Sequence, residues 1–300
     1  MWIFLTLFAT FIWCLCNFVD KHIAERYLSA MPRYYAVSAF GSGIFSLGVY
    51  LSVGWWLPPW PQTLLILLGG GGIAGMLWFY LKALKVEEAS YVVPLFQLGP
   101  VWAALLAFIF LGENLVGWDL IAFIVIFAGG VVVALEKLSK EVLQLRPAFG
   151  YMLVATLFVS AMFVSFKYVY NLNPDYFWHL YALQLLGQFL ACGLLAAFTW
   201  KPSLNIGFKQ TLKEILPLFL LNDFISFIAF AAYLWALALA PVALVGALGG
   251  VQGLFAFAIG AFLTLRHSHL VQENISFPVV VQKVFGGLIM LGGVALLQLS

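Results

Sequence analysis

The fold is decided first by residues 1–19, which read MWIFLTLFATFIWCLCNFV and contain no Asp, Glu, Lys or Arg. A membrane-spanning helix needs roughly 20 predominantly apolar residues, so this run is long enough to cross a bilayer. A cleavable secretory signal begins with a positively charged segment, and no basic residue precedes Lys21. We therefore expect residues 2–19 to form the first membrane helix.

The rest of the chain repeats this pattern. Of its 300 residues, 64% are hydrophobic and 9% are charged, whereas soluble domains carry about 25% charged residues. The apolar runs do not alternate in character as the strands of a membrane barrel do. The short connections argue against a sizeable extramembrane domain, a soluble enzyme or a nucleic-acid partner. We predict an all-α membrane protein with ten transmembrane helices, near 2–19, 34–53, 62–81, 89–111, 116–135, 149–170, 176–199, 215–239, 242–264 and 278–299.

The basic residues fall on alternate connections. Thirteen lie on one side of the predicted bundle, and Lys167 alone lies on the other. Cytoplasmic loops of membrane proteins are enriched in Lys and Arg. We therefore expect a multi-pass protein of the inner cell membrane with both termini outside the cytoplasm. The thirteen residues are Lys21, Arg26, Arg33, Lys82, Lys85, Lys137, Lys140, Arg146, Lys201, Lys209, Lys213, Arg266 and Lys283.

The two halves of the chain share residues in the same order. Tyr80-Leu81 recurs as Tyr233-Leu234. Near the end of each half, Gly129-Gly130-Val131 recurs as Gly292-Gly293-Val294. Several matches in one order indicate an internal repeat rather than chance in a chain rich in Leu, Ala and Gly.

We place the two repeats at residues 1–146 and 147–300, with five helices in each. Because five is an odd number, the second repeat enters the membrane from the opposite side. Secondary transporters use such inverted repeats to build two related gates around one site near the midplane. The repeat therefore predicts an alternating-access transporter with its cavity between the two halves.

Three motifs in the first half carry a family resemblance: Trp13-x-x-x-Asn17-Phe18-x-x-Lys21, Glu88-Ala89-Ser90-x-x-x-Pro94 and Phe110-Leu111-Gly112-Glu113. They resemble the EamA-type members of the drug/metabolite transporter superfamily. In the second half the Leu-Gly-Glu is missing, and Arg266 lies near its place. The resemblance implies transport without a cofactor. It does not select a substrate, because the family moves amino acids, sugars, nucleotide sugars and drugs in either direction.

Together these features predict a secondary active transporter of a small polar or amphipathic metabolite, amino-acid-like or another small organic solute. It would be proton-coupled or an exchanger, with its oligomeric state open. A membrane-embedded enzyme is one alternative, and a sensor or binding protein without transport is another. The four histidines lie near predicted loops, and no H-E-x-x-H spacing occurs. We therefore expect no catalytic residues and no metal site.

Asp223 is the first candidate for substrate or proton coupling. It lies within the predicted eighth helix, where a charge costs roughly 2.5–3.5 kcal/mol on insertion scales. Intramembrane carboxylates are therefore functional by default, and a buried one can take up a proton near neutral pH. The alternative is a structural carboxylate capped by Asn222 or paired with a neighbouring helix.

Two lysines end matching polar stripes, Lys21 in the first helix and Lys167 in the sixth. At opposite mouths of an inverted repeat they could gather an anionic substrate. Snorkelling to the headgroups is the alternative reading. Lys21 could also pair with Asp20, and Lys167 with Asp175, the nearest acidic residue in sequence.

The remaining candidates are neutral and lie on predicted helices. Their amide, phenol and indole groups could bind a polar substrate, or equally bond neighbouring helices for about 1 kcal/mol or less. Aromatic members of the set could also wall a cavity. These candidates are Trp13, Asn17, Gln97, Gln184, Gln188, Tyr233 and Gln252.

Overall fold

The computed structural model describes residues 1–26, 31–87, 92–135, 147–205, 208–266 and 276–297. Within these ranges all regular secondary structure is helical, as the apolar runs predict. Short 3-10 turns at Pro174–Tyr176 and Pro202–Asn205 flank the seventh span. The helices are α1 (Trp2–Arg26), α2 (Met31–Val53), α3 (Trp60–Val86), a 3-10 helix (Val93–Leu98) followed by α4 (Gly99–Leu111), α5 (Trp118–Ala134), α6 (Pro147–Leu172), α7 (Phe177–Thr199), α8 (Phe208–Leu239), α9 (Val242–Gly249), α10 (Gln252–Arg266) and α11 (Phe277–Leu296).

The predicted helical membrane architecture is confirmed. Eight helical segments are long and apolar enough to cross a membrane, and Leu95–Leu111 and Trp118–Ala134 are shorter apolar helices. Each of the ten predicted runs coincides with one of these segments. The predicted ends were less accurate, since α1 continues to Arg26 and α8 begins at Phe208. A helix can continue past its apolar run because its backbone groups remain hydrogen-bonded to one another.

The fourth and ninth spans are broken near their middle. The fourth begins as a 3-10 helix and becomes α-helical at Gly99-Pro100, while the ninth is interrupted between Gly249 and Gln252. Proline lacks the amide hydrogen that a helix needs, and glycine is a poor helix former. The second piece of each span begins 19 residues after the matching tyrosine, Tyr80 or Tyr233.

Long contacts in the bundle join the first half of the chain to the second. α1 packs against α8, α2 against α7, α3 against α6, and α5 against α11. In addition, α3 packs against α7 and α4 against α6. The halves therefore interlock rather than lying side by side as separate domains.

Glycines bring α3 and α7 into backbone contact. A Cβ atom at Gly70 would lie 2.0 Å from the carbonyl oxygen of Gln184, and one at Gly187 would lie 2.2 Å from that of Leu67. Real Cβ atoms do not approach a carbonyl so closely. The glycine run that begins at Gly69 therefore serves close helix packing, as small residues do in membrane helix pairs.

α11 caps the end of α5. The side-chain amide of Gln282 donates to the carbonyl oxygens of Val132 at 2.9 Å and Leu135 at 2.8 Å. The ammonium group of Lys283 donates to the carbonyl oxygens of Val133 and Leu135. The last carbonyls of a helix have no partner within it, and a cation there also suits the helix dipole.

The bundle has two ends, which we name by what they carry. Trp2, Leu297 and the joint Ala240-Pro241 line one pocket at the terminal face. The opposite end, the basic face, carries Arg33, whose guanidinium donates to the carbonyl oxygen of Leu204 at 2.9 Å. Both ends of the described chain therefore lie on the same side, as ten spans require.

Candidate functional site

Five aromatic rings meet between the helices of the bundle and form what we call the central aromatic cluster: Trp13, Phe163, Tyr181, Phe230 and Tyr233. The ring of Tyr233 lies 5.1 Å from that of Trp13 and 4.8 Å from that of Phe163, between centroids. Tyr181 lies 5.8 Å from Phe230. The rings come from α1, α6, α7 and α8, so both halves of the chain contribute.

The polar atoms of these rings are bonded to helix backbones. The indole N–H of Trp13 donates to the carbonyl oxygen of Ser226 at 3.3 Å. The hydroxyl of Tyr181 donates to the carbonyl oxygen of Phe227 at 2.8 Å. Both acceptors belong to α8, so α1 and α7 hold this helix from two sides. Rearranging α8 would free these donors for another acceptor.

The cluster lies nearer to the terminal face. Tyr233 is six residues before the end of α8, and Tyr181 is four residues after the start of α7. The expected cavity between the halves is therefore filled by aromatic rings at this level.

Asp223 lies at the contact between α8 and α2, toward the basic face from the cluster. A Cβ atom at Gly41 would lie 2.1 Å from its Oδ2 atom, so the missing side chain of Gly41 leaves room for the carboxylate. Asp223 is half-buried, while the neighbouring Asn222 is 5% exposed. The backbone oxygen of Asn222 accepts a hydrogen bond from the thiol of Cys16.

Lys167 does not pair with Asp175, which is exposed. Its ammonium Nζ lies 2.5 Å from Oε1 of Glu113 and donates to the carbonyl oxygen of Ala240 at 2.6 Å. The other oxygen of Glu113 accepts the backbone N–H of Val242 at 2.8 Å. Lys167 is thus buried at the terminal face with two partners. For the other predicted lysine, Lys21, the side chain lies outside the described residues.

Gln97 lies where the two broken spans meet. A Cβ atom at Gly250 would lie 3.0 Å from its side-chain amide, and one at Gly130 would lie 3.2 Å from its Oε1 atom. The amide therefore fills the gap that the break in the ninth span leaves. Gln252 begins the second piece of that span and is half-buried.

The other amides differ in their surroundings. Gln188 donates to the hydroxyl of Ser38 at 3.3 Å and so joins α7 to α2. Gln184 is 1% exposed, and its amide nitrogen lies 3.4 Å from the carbonyl oxygen of Met162. Its Oε1 atom is buried without a hydrogen-bond partner among the described residues. Asn17 is exposed on α1, away from these groups.

Comparison with known proteins identifies the first half. Residues 1–135 match the EamA-like transporter family. This part of the chain is an EamA-like transporter sequence. The resemblance drawn from the motifs of the first half is therefore confirmed, and the apolar helices support a multi-pass membrane protein.

The chain as a whole is also similar to a solved structure. A solved structure, described only as the crystal structure of a protein, superimposes with a TM-score of 0.67 at 17% identity. The match covers 98% of this chain and 96% of that one. At this identity the likeness concerns the fold alone. A search of curated proteins finds no match.

Sequence reasoning found part of the site. It selected Trp13 and Tyr233, which the fold brings together, but it found no partner for Glu113. It also overlooked Gly41. The available signal was the repeat: α2 and α7 both have 23 residues, and Gly41 and Gly187 are each the eleventh residue.

Proposed function

We propose that this protein is a secondary active transporter that moves a small polar or amphipathic solute by alternating access. An amino-acid-like molecule or another small organic solute would suit it. The central aromatic cluster is the main support, because helices of both halves supply its rings. Binding sites for small molecules are mostly apolar with a few polar groups that fix orientation, and the cluster with its indole and phenol groups has this composition.

The halves 1–146 and 147–300 act in this proposal as inverted repeats. The first five spans correspond in order to the last five, so α1 corresponds to α6, α2 to α7, α3 to α8 and α5 to α11. The contact of α1 with α8 therefore corresponds to the contact of α6 with α3. The contacts of α2 with α7 and of α5 with α11 each join a helix to its own counterpart, so exchanging the halves leaves them unchanged. The breaks in the fourth and ninth spans exchange in the same way. This symmetry of contacts supports two related gates around one site.

The two proposed gates are built from different residues. In the repeat, Gly70 corresponds to Asp223, since each lies ten residues before its matching tyrosine. α3 meets α7 through backbone atoms at Gly70, whereas α8 meets α2 through the carboxylate of Asp223. One gate contains a charged side chain and the other a glycine. The free energy needed to separate the helices should therefore differ between the two gates.

Asp223 is our candidate for the coupling carboxylate. Taking up a proton would remove its charge and change the contact of α8 with α2, which couples protonation to the position of α8. The unsatisfied oxygen of Gln184 is a candidate acceptor for a substrate donor. Further candidate contacts are Asn17, Lys21, Gln97, Gln188 and Gln252. Exchange of one solute for another without protons is the alternative form of the same cycle.

The proposed orientation places both termini outside the cytoplasm of a cell with this protein in its inner membrane. The distribution of Lys and Arg supports it. A C-terminal fusion to a reporter that is active only in the cytoplasm should remain dark, while the same reporter inserted after Lys137 should be active. A bright C-terminal fusion contradicts this orientation without affecting the transport proposal.

Transport itself is tested in proteoliposomes with a panel of labelled amino acids and organic solutes, with and without a pH gradient. We expect saturable uptake of at least one solute, and Trp13→Phe should raise its KM several-fold because the indole N–H is lost. Trp102→Phe is the matched control. It also removes an indole that donates to a backbone oxygen, that of Leu153, outside the cluster. Binding without uptake would favour a sensor, and turnover of a bound solute would favour an enzyme.

A further inference from the structure

We propose that Glu113 and Lys167 form an ionic lock that holds the terminal face closed and breaks when that face opens. This inference rests on the proposed function, because it assigns the lock to one state of an alternating-access cycle. It also gives Lys167 a role in gating instead of the substrate gathering expected from the sequence.

The lock joins the two halves of the chain at one point. Glu113 follows Gly112, which ends α4 with a positive φ of 67°, and belongs to the first half. Lys167 and the joint Ala240-Pro241 between α8 and α9 belong to the second half. Any motion that separates the end of α4 from α6 at this face must therefore pull the two charges apart.

Both charged groups also hold the joint between α8 and α9. Lys167 donates to the carbonyl oxygen of Ala240, the residue that follows α8, and Glu113 accepts the first amide of α9 from Val242. Pro241 has no N–H, so the amide of Val242 is the first that α9 can offer. A carboxylate at this position suits the positive end of the helix dipole. The pair therefore fixes α8 relative to α9 as well as the two halves.

The surroundings make the contact selective for the closed state. The side chains are 9% and 17% exposed for Lys167 and Glu113. Removing one partner of a buried pair leaves the other charge unpaired in a medium of low dielectric, which is strongly unfavourable. Opening the terminal face would instead bring water to both charges, so the pair can separate only together with that opening. The central aromatic cluster lies on the same side and would be uncovered by the same motion.

The test measures opening without any substrate. A reporter cysteine, Val245→Cys, is introduced into a chain in which Cys14, Cys16 and Cys192 are replaced by alanine. Val245 is 0% exposed in α9, beside the hydroxyl of Tyr233. The rate of labelling by a membrane-impermeant maleimide is followed in proteoliposomes. With Glu113→Gln and Lys167→Gln combined, we expect the rate to rise about tenfold, the change produced by a tenfold shift in the open population.

Asp175→Asn is the matched control, because it removes an exposed carboxylate from the same face without touching the lock. Its labelling rate should remain that of the parent. If the combined variant is folded, as judged by gel filtration, and labels at the parent rate, the lock does not exist. Lowered thermal stability with unchanged labelling likewise assigns the pair to a structural role and overturns the proposal.

A second variant covers the case in which the combined variant does not fold. Glu113→Asp keeps the charge but is one methylene shorter, so it cannot reach Lys167 and Val242 together. We expect a labelling rate between those of the parent and the combined variant, and a parent rate here overturns the lock. Faster labelling in a chain that transports none of the solutes tested would leave the lock intact and contradict the proposed function.

Discussion

The contact of α3 with α7 and the contact of α8 with α2 correspond to each other in the proposed repeat, but they are built differently. At the first, glycines on both helices allow backbone atoms to touch. At the second, Gly41 is retained on α2, and Asp223 stands where α3 has Gly70. The same geometry thus gives one tight apolar contact and one contact that contains a titratable group. If these contacts are the two gates of the proposed transporter, a single residue makes the gates asymmetric.

The tight contact should be the harder one to disturb. We predict that Gly70→Ala destabilises the protein by about 3 kcal/mol, the upper range for overpacking a core, because its Cβ would lie 2.0 Å from a backbone oxygen that cannot rotate away. The thermal unfolding midpoint should fall by about 10 °C. Gly48→Ala, where no atom lies within 4 Å, is the control and should lose nothing. Equal stability of the two variants would refute close backbone contact at Gly70.

The contact that contains Asp223 should be sensitive in function rather than in folding. Asp223→Asn keeps the shape of the side chain but removes its charge. We predict that uptake driven by a pH gradient falls about tenfold, within the usual range of coupling between two sites, while exchange of solute without a gradient continues. Asp119→Asn, a carboxylate at the terminal face, should leave both activities unchanged. Unaltered gradient-driven uptake in Asp223→Asn would exclude it as the coupling group.

Gly41→Ala probes the partner of the carboxylate. The added Cβ would lie 2.1 Å from Oδ2 of Asp223, but a side chain can rotate where a backbone oxygen cannot. We therefore predict a loss of stability of about 1 kcal/mol, the cost of an unfavourable rotamer. Its unfolding midpoint should lie between those of Gly48→Ala and Gly70→Ala. A loss as large as that of Gly70→Ala would mean that the two contacts are equally rigid.

The smallest effect is expected at the paired tyrosines. Tyr233 belongs to the central aromatic cluster, and its hydroxyl lies 3.5 Å from the oxygen of Val245, whereas Tyr80 packs against Phe96 with centroids 5.2 Å apart. Tyr233→Phe should raise the KM for transport about twofold, as the loss of one weak hydrogen bond does. Tyr80→Phe should not change it. Equal effects would indicate that both tyrosines contact the solute.

Local patterns in the sequence predicted most of the fold. Apolar run length gives the spans, because each span must bury its own backbone hydrogen bonds in lipid. The breaks in the fourth and ninth spans were not predicted, although Pro94, Gly99-Pro100 and the glycines near Gly249 lie at them. These signals depend only on neighbouring residues, so no knowledge of packing is needed to read them.

The partners of charged residues could not be predicted in the same way. Lys167 and Glu113 are far apart in sequence, and the choice of Glu113 over Asp175 depends on how α4 and α6 are rotated in the bundle. The meeting of Asp223 with Gly41 depends on the packing of α8 against α2. Comparing corresponding residues of the two halves would have found Gly41, since it matches Gly187. The same comparison would not have found the ion pair. In the second half Arg266 lies near the place equivalent to Glu113 and carries the opposite charge to it.

The capping of α5 by α11 has a consequence for biosynthesis. Gln282 and Lys283 are made well after α5, and until they enter the membrane the terminal carbonyls of α5 lack these donors. An unsatisfied carbonyl in lipid costs several kcal/mol. The first five spans therefore lack these donors until α11 has been made and has packed against α5.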